Sequence, residues 1–529
     1  MSSIDLARVI VETLIGQGVR EVVAAPGSRN AGLLIALSVA EKQGLIRLHM
    51  RVDERSAGFL ALGLAKATAA PVAIVTTSGT AVGNLVPAVM EARHSGVPLV
   101  VVSADRPATM MNTGANQTTW QPGLFAPHVL DTIRMASSDA HPSAWRHAVR
   151  RGVILARGLR TRQPGPVHLN VELDTPLVDP QLTDPLEPTT ELVVAAAERA
   201  APWMAPALPE TLVLVGDVSP SVGEEARALA ESAGWPLASE PSGNARCGDN
   251  AIAAYRLLLD DFGSEIKQVI CFGHPTLSRP VTRLLSRPEV QIVVVSQHAE
   301  WIDPGHRVDR VVDAVEAPWI QDREWLERWK RRDAEVASEL DHVEAPADGR
   351  LHPRQVHQTL WASLGSDDIV MLGSSQPIRD ADLASISAHP PQVFAHRGLA
   401  GIDGTVASAS GIALGCDRPV TVVVGDLTLI HDLGSLVHGE LESLPALRII
   451  VLDDHGGSIF HGLEQGGPDY GEYFERVFAT PQRLDLAEAL RGLGIPATMI
   501  NSCEELRRVL TRACRGIEAH VLPVSRSMR

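Results

Sequence analysis

Short runs of β-branched and aliphatic residues recur along the chain, each followed by a stretch of helical periodicity. They read EVVAAPGS, PVAIVTTSG and PLVVVSADRP, then TLVLVGDVS, QVICFG and QIVVVSQH, then DIVMLGSSQ, PVTVVVGD and LRIIVLDD. A strand that is apolar at every position must be covered on both faces, so these runs predict parallel sheets between helical layers. Two stretches break the rhythm: residues 174–190 (DTPLVDPQLTDPLEPTT) are rich in Pro and Asp, and residues 333–353 pass from a charged helix into EAPADGRLHP. Both read as linkers. The expected fold class is α/β, with three doubly wound parallel-sheet domains over 1–180, 195–332 and 350–529. The length agrees, because single cores stop growing near ~250–300 residues and this chain has 529.

Composition removes several function classes. Apolar residues at 45% and charged residues at 21% are ordinary for a globular protein. The net charge of −16 argues against nucleic acid as a partner, since neutralising phosphates needs a basic stripe. Local clusters of arginine then mark places where a small anion is wanted. The five cysteines are scattered without a CxxC pair, which suits neither a zinc site nor a disulfide framework and points to a reducing cytoplasm. MSSIDLARVIVETL carries Asp5 and Glu12 and reads as an amphipathic helix rather than a signal peptide. No apolar run approaches the ~20 residues of a membrane span, so the expectation is a cytoplasmic protein without a membrane partner.

In open parallel sheets ligands bind beyond the carboxyl ends of the strands, near the switch point of the strand order. The last third of the chain reads PVTVVVGDLTLIHDLGSLVHGELESLPALRIIVLDDHGGSIF. One strand ends in Gly425, Asp426 and Leu427; the next, one crossover later, ends in Asp453, Asp454, His455 and Gly456. Two adjacent strand ends can present Asp426 and Asp454 to one Mg²⁺, which takes hard oxygen ligands and is held by one or two carboxylates plus phosphates. Gly456 lets the chain turn so that its carbonyl adds a third oxygen. The plainer reading is that these aspartates are strand-end turn residues.

Near the N-terminus, Glu54 opens a helix of small and apolar residues in DERSAGFLALGLAKAT. Such a carboxyl is expected to be partly desolvated, with its pKa raised as a proton relay requires; the alternative is helix N-terminal stabilisation. Five more segments follow strands: PGSRNAGLL with Ser28 and Arg29, SADRP with Arg106, GANQTTWQPGLF with Asn116 and Gln117, LGSSQPIRD with Ser375 and Arg379, and AHRGLAGIDG with Arg397. Four arginines in one cleft of an acidic protein suit a substrate pair rich in carboxylates. Pairing of Arg106 and Arg379 with neighbouring Asp105 and Asp380 is the bland alternative.

The Gly-Asp pair with its second acidic cluster one crossover later resembles the diphosphate-binding motif of thiamine diphosphate enzymes, and Glu54 with TSGTAVGNL resembles their pyrimidine-binding domain. The resemblance implies pyrimidine-binding, central and diphosphate-binding domains. It implies Asp426, Asp454 and the Gly456 carbonyl as ligands of Mg²⁺, with Mn²⁺ able to substitute, and Gly425, Leu427, Ile459 and Phe460 beside the cofactor. Ile459 and Phe460 would serve equally as core. Glu54 would hydrogen-bond N1′ of the aminopyrimidine and favour its imino tautomer. Leu427 departs from the usual Gly, and Asp453–Asp454–His455 from the usual Asn run, so cofactor binding should lean harder on the metal charge.

PGSR, DERSAGFLALGLAKAT, TSGTAV, ADRP, GANQ, RG–GIDG and GGSIF together resemble the 2-succinyl-5-enolpyruvyl-6-hydroxy-3-cyclohexene-1-carboxylate synthase family of menaquinone biosynthesis. That resemblance implies decarboxylation of 2-oxoglutarate and conjugate addition of the succinic-semialdehyde carbanion to isochorismate, both dianions. It implies Ser375, Arg379 and Arg397 on the oxoglutarate side, with Arg379, Arg397 and Gln117 joining Glu54 in catalysis. Ser28, Arg29, Arg106, Asn116 and Gln117 would line the isochorismate side, reached also by Ser278 and Arg279. Asn30–Ala31–Gly32 and Trp120 depart from the family pattern without touching a charged contact. A homodimer or homotetramer with sites at the subunit interface is implied. Two alternatives stay open: another carboligase such as acetohydroxyacid synthase, which would lack the four arginines, and a nucleotide-binding redox or regulatory protein, for which VGDVSPSVG is a poor match to GxGxxG.

Overall fold

The computed structural model describes residues 2–138, 141–320, 322–341, 346 and 348–526. Its fold is α/β, built on three large all-parallel sheets flanked by helices. The first, in spatial order, runs Arg47–Met50, Glu21–Ala24, Val72–Thr76, Leu99–Asp105, Val167–Glu172 and Thr132–Ala136. The second runs Val308–Val312, Gln291–Val295, Gln268–Phe272, Thr211–Val215 and Leu237–Ser239. The third runs Gln392–Ala395, Ile369–Leu372, Val420–Gly425, Leu447–Asp453, Ile517–Pro523 and Ala497–Met499. The central strands are buried at every or nearly every position, which is why they are continuous apolar runs.

Each sheet starts at an inner strand, steps outward, then returns to the other side of its first strand. The switch points therefore fall between Glu21–Ala24 and Val72–Thr76, between Thr211–Val215 and Gln268–Phe272, and between Ile369–Leu372 and Val420–Gly425. Beyond their carboxyl ends lie PGSR and TSGT in the first sheet, and GSSQ and the Asp426 turn in the third.

By compactness the chain forms two units. One comprises Met1–Ala197, Gly398–Arg418 and His431–Ala446. Within it, helix Glu54–Thr68 lies against helix Thr405–Cys416 with backbones almost touching. A Cβ at Gly63 would sit 2.0 Å from the Ser408 carbonyl oxygen, and one at Gly411 2.2 Å from that of Leu60. Ser408 Oγ closes the contact by donating to the Phe59 carbonyl at 2.9 Å. The small residues after Glu54 thus serve helix–helix approach. Residues 174–190, read as a linker, are fastened along helix Ser3–Gly16, where Arg8 donates to the carbonyls of Gln181, Asp184 and Pro185.

The other unit comprises Glu198–Arg397, Pro419–Ile430 and Leu447–Arg529 and holds the second and third sheets. Buried Asp382 joins them: it accepts Tyr255 Oη at 3.0 Å and forms an ion pair with Arg256 at 3.2 Å. Part of the second expected linker, residues 342–345 and 347, lies outside the described residues. Among the described residues no helix is long and apolar enough to cross a membrane.

Candidate active site

In the third sheet, strand Val420–Gly425 hands directly into helix Asp426–His431, so Asp426 stands at the strand's carboxyl end. It is 5% exposed, accepts the Gly456 N–H through Oδ2 at 2.8 Å and its neighbour Leu427 N–H through Oδ1 at 2.7 Å. Asp454 follows the adjacent strand, Leu447–Asp453. Its Oδ1 is buried with no hydrogen-bond partner. Burial, and next the charge of Asp454, push the Asp426 carboxyl up to about 7; burial pushes Asp454 up to about 6. Two raised acids, one under the other's charge and the other with an unused buried oxygen, form a donor set fitted to a hard cation.

Gly456 has φ +132°, and a Cβ there would lie 2.4 Å from the Ala479 carbonyl oxygen, so only glycine closes this turn. Arg526 steadies it by donating to the carbonyls of Asp454 at 3.1 Å and His455 at 2.6 Å. Among the described residues no group of three or more His, Cys, Asp or Glu side chains could hold a metal. Two carboxylates and a carbonyl fit the case in which diphosphate oxygens complete the shell. Gly425 leaves room, since a Cβ on it would meet nothing within 4 Å. Ile459 and Phe460 are half-buried in the turn Ser458–Gly462, with the Phe460 ring 5.9 Å from that of Phe478.

At the same end of this sheet, Ser375 has φ +74°, a conformation that costs a non-glycine residue. Its carbonyl accepts Arg379 Nη1 at 2.6 Å. Burial, then the charges of Arg397 and Arg256, hold the Arg379 pKa below its ordinary value. Arg397 is 2% exposed; its Nε donates to Thr276 Oγ1 at 3.0 Å, and its Nη1 is buried without a partner. Arg279 is exposed and paired with Glu464 at 2.8 Å, and Ser278 Oγ is buried without a partner.

In the first unit, Asp53 caps helix Glu54–Thr68, accepting from Arg55 N at 3.1 Å and Ser56 N at 3.4 Å. Capping therefore does not occupy Glu54, which is half-buried and accepts Asn84 Nδ2 at 3.3 Å. Arg106 is 8% exposed and donates to Ser78 Oγ and, at 2.8 Å, to the Gln117 carbonyl. Gln117 has φ +56° and returns its side-chain amide to the Ser78 carbonyl at 2.9 Å. Arg29 donates to the Leu173 carbonyl at 2.9 Å, while its Nε has no partner. Burial first, then the charge of Arg29, lowers the Arg106 pKa. Ser28 and Asn116 are exposed.

The structure thus brings the four arginines together two by two, Arg29 with Arg106 in one unit and Arg379 with Arg397 in the other. Among the described residues none of the four forms an ion pair with a carboxylate. Asp105 is taken up by Arg106 N and Asn170 Nδ2 instead, and Asp380 accepts Gln376 Nε2. Sequence reasoning missed Ser78, Asn84, Thr276, Glu240 and Arg526. Of these, Ser78 and Asn84 lay inside a motif already singled out, TSGTAVGNL.

A parallel α/β frame with acids at two adjacent strand ends goes with the fold of a thiamine pyrophosphate enzyme, the class that the family matches show. Residues 4–124 match the thiamine pyrophosphate enzyme N-terminal TPP binding domain and residues 380–524 the C-terminal TPP binding domain. Curated relatives are similar along the whole chain. A protein of Nocardioides sp. is 44% identical over 549 residues, covering 100% of this chain and 96% of its own. One of Kineococcus radiotolerans is 43% identical over 547 residues, covering 99% and 96%, and one of Paenarthrobacter aurescens is 43% identical over 560 residues, covering 100% and 95%. All three are named 2-succinyl-5-enolpyruvyl-6-hydroxy-3-cyclohexene-1-carboxylate synthase. The chain belongs to this synthase family.

Proposed function

We propose that this enzyme decarboxylates 2-oxoglutarate and transfers the four-carbon remainder to isochorismate by conjugate addition, giving the product named in its family and CO₂, in menaquinone biosynthesis. The observation that carries the reading is the set of four arginines that, among the described residues, have no carboxylate partner. Guanidiniums held by neutral acceptors and uncompensated by a carboxylate contact suit two dianionic substrates, and pyruvate would leave most of them unused.

Asp426, Asp454 and the Gly456 carbonyl would hold Mg²⁺ or Mn²⁺, which would supply positive charge to offset the cofactor's diphosphate. Thiamine diphosphate, when bound, supplies the nucleophilic carbon and the electron sink for decarboxylation. Glu54 holds and moves a proton at N1′ of the pyrimidine. Ser375, Arg379 and Arg397 bind and orient the oxoglutarate carboxylate. Ser28, Arg29, Arg106, Asn116 and Gln117 bind isochorismate, with Gln117 held in place by Ser78 and Arg106.

The working form is a homodimer or homotetramer in the cytoplasm, with Glu54 of one subunit serving the metal site of another. Exposed apolar side chains on two joined segments of the first unit support this: Val52, two residues before Glu54, is 84% and Leu441 100% exposed, and Glu442 ties their segments together by accepting Met50 N at 2.9 Å. The test follows isochorismate loss spectrophotometrically with 2-oxoglutarate, cofactor and Mg²⁺, omitting each in turn. Loss should need all three, and activity with pyruvate replacing 2-oxoglutarate would favour a different carboligase.

A further inference from the structure

The second sheet also has a furnished switch point. Strand Leu237–Ser239 delivers Glu240, and strand Gln268–Phe272 delivers the turn that carries Thr276 and Leu277. Glu240 is 0% exposed, and its Oε1 accepts the backbone N–H groups of Thr276 at 2.7 Å and Leu277 at 2.8 Å. Thr276 then accepts Arg397 through Oγ1, from Nε at 3.0 Å and from Nη2. A chain of contacts runs from a buried carboxyl, through one threonine, to a buried guanidinium whose Nη1 has no partner.

We propose that Glu240 and Thr276 are positioning residues for Arg397: Glu240 pins the backbone of Thr276, and the pinned hydroxyl fixes the guanidinium plane, reserving Nη1 for the substrate carboxylate. The middle domain thereby aims a residue of the oxoglutarate site. Burial pushes Glu240 up to about 8, with Asp382 pushing the same way and Arg397 opposing, so the group acts as a buried acceptor of two backbone N–H groups and not as a charge. The inference rests on the reading of Arg397 as a ligand of the 2-oxo acid.

Steady-state kinetics of the full-length holoenzyme, with cofactor affinity measured in parallel, test it on Thr276→Val, Glu240→Ala, Glu240→Gln, Arg397→Ala and the Arg397→Ala/Thr276→Val pair. Losing a hydrogen bond to a charged group corresponds to roughly tenfold. Thr276→Val and Glu240→Ala should therefore raise KM for 2-oxoglutarate about tenfold, with kcat and cofactor affinity within about twofold of the parent. Glu240→Gln, which keeps an acceptor, should recover most of what Glu240→Ala loses. In the Arg397→Ala background, Thr276→Val should add nothing, because its effect runs through Arg397. Normal KM for Thr276→Val beside a raised KM for Arg397→Ala, or additive effects in the pair, would overturn the positioning role while leaving the ligand. Normal KM for Arg397→Ala would overturn the ligand itself. If Glu240→Ala does not fold, Thr276→Val and the pair decide.

Discussion

The backbone N–H of Gly456 donates to Asp426 Oδ2 at 2.8 Å, tying together the carboxyl ends of two neighbouring parallel strands that a full crossover separates in sequence. This bond sets the distance between the two acids. Gly456 has no freedom to move away, because Ala479 stands where a Cβ would go, and Arg526 holds the two preceding carbonyls. Asp426 and Asp454 are thus kept close at a cost in charge repulsion that a divalent ion would reverse.

Asp454 tests that relationship. Asp454→Asn keeps an oxygen ligand and removes one negative charge, so it should retain cofactor binding. Asp454→Ala removes the ligand and should abolish metal-dependent binding of thiamine diphosphate. Calorimetric titration with Mg²⁺ present, repeated after chelation, measures both. Normal affinity in the alanine variant would take Asp454 out of the site.

Arg379 is anchored to the Ser375 carbonyl and lies in the field of Arg397 and Arg256. It gains more from an arriving carboxylate than an isolated surface arginine would. Arg379→Ala should lower kcat/KM for 2-oxoglutarate by about 10–100-fold, the equivalent of a lost charge-assisted hydrogen bond, with cofactor affinity little changed. Equal damage to both would place Arg379 with the cofactor instead.

The contact between helices Glu54–Thr68 and Thr405–Cys416 makes a prediction about stability. Gly63→Ala places a methyl 2.0 Å from the Ser408 carbonyl, and overpacking of this kind costs about 1–3 kcal/mol. Gly492→Ala, where a Cβ meets nothing within 4 Å, is the control and should be neutral or stabilising by about 0.4–1 kcal/mol. Denaturant midpoints separate the two, and similar midpoints would mean the helices do not pack this closely.

The sheets were legible where burial on both faces left a pure apolar run, as in Val72–Thr76 and Val420–Gly425. Edge strands such as Thr132–Ala136 and Val308–Val312 alternate or stay half-exposed and sent no such signal. Val167–Glu172 is fully buried yet carries His168 and Asn170; His168 Nε2 meets Ser103 and Asn170 meets Asp105 and Gln121, while His168 Nδ1 is buried without a partner. The strand-end acids and arginines were legible because chemistry at a switch point needs those residue types. Glu240 and Thr276 were not, since a residue that acts through another has no motif of its own. The closeness of Thr405–Cys416 to Glu54–Thr68 links segments some three hundred and fifty positions apart, and the small residues that permit it read equally well as a desolvated setting for Glu54.

His357 offers a test of pH dependence outside the site. It is fully buried on helix Pro353–Ser363, both ring nitrogens lack partners, and burial pushes its pKa down to about 3. The folded protein therefore keeps the ring neutral, while the unfolded chain takes up a proton near the ordinary value of 6.5. Its contribution to stability is fully present above that value and declines as pH falls toward the folded pKa, by about 1.4 kcal/mol per unit. His357→Leu removes both the titration and two unpaired nitrogens. Its stability relative to the parent should improve by about 2 kcal/mol between about pH 7.5 and about pH 5 in urea unfolding. A difference that stays constant across that interval would mean the ring is solvated or paired in the folded protein.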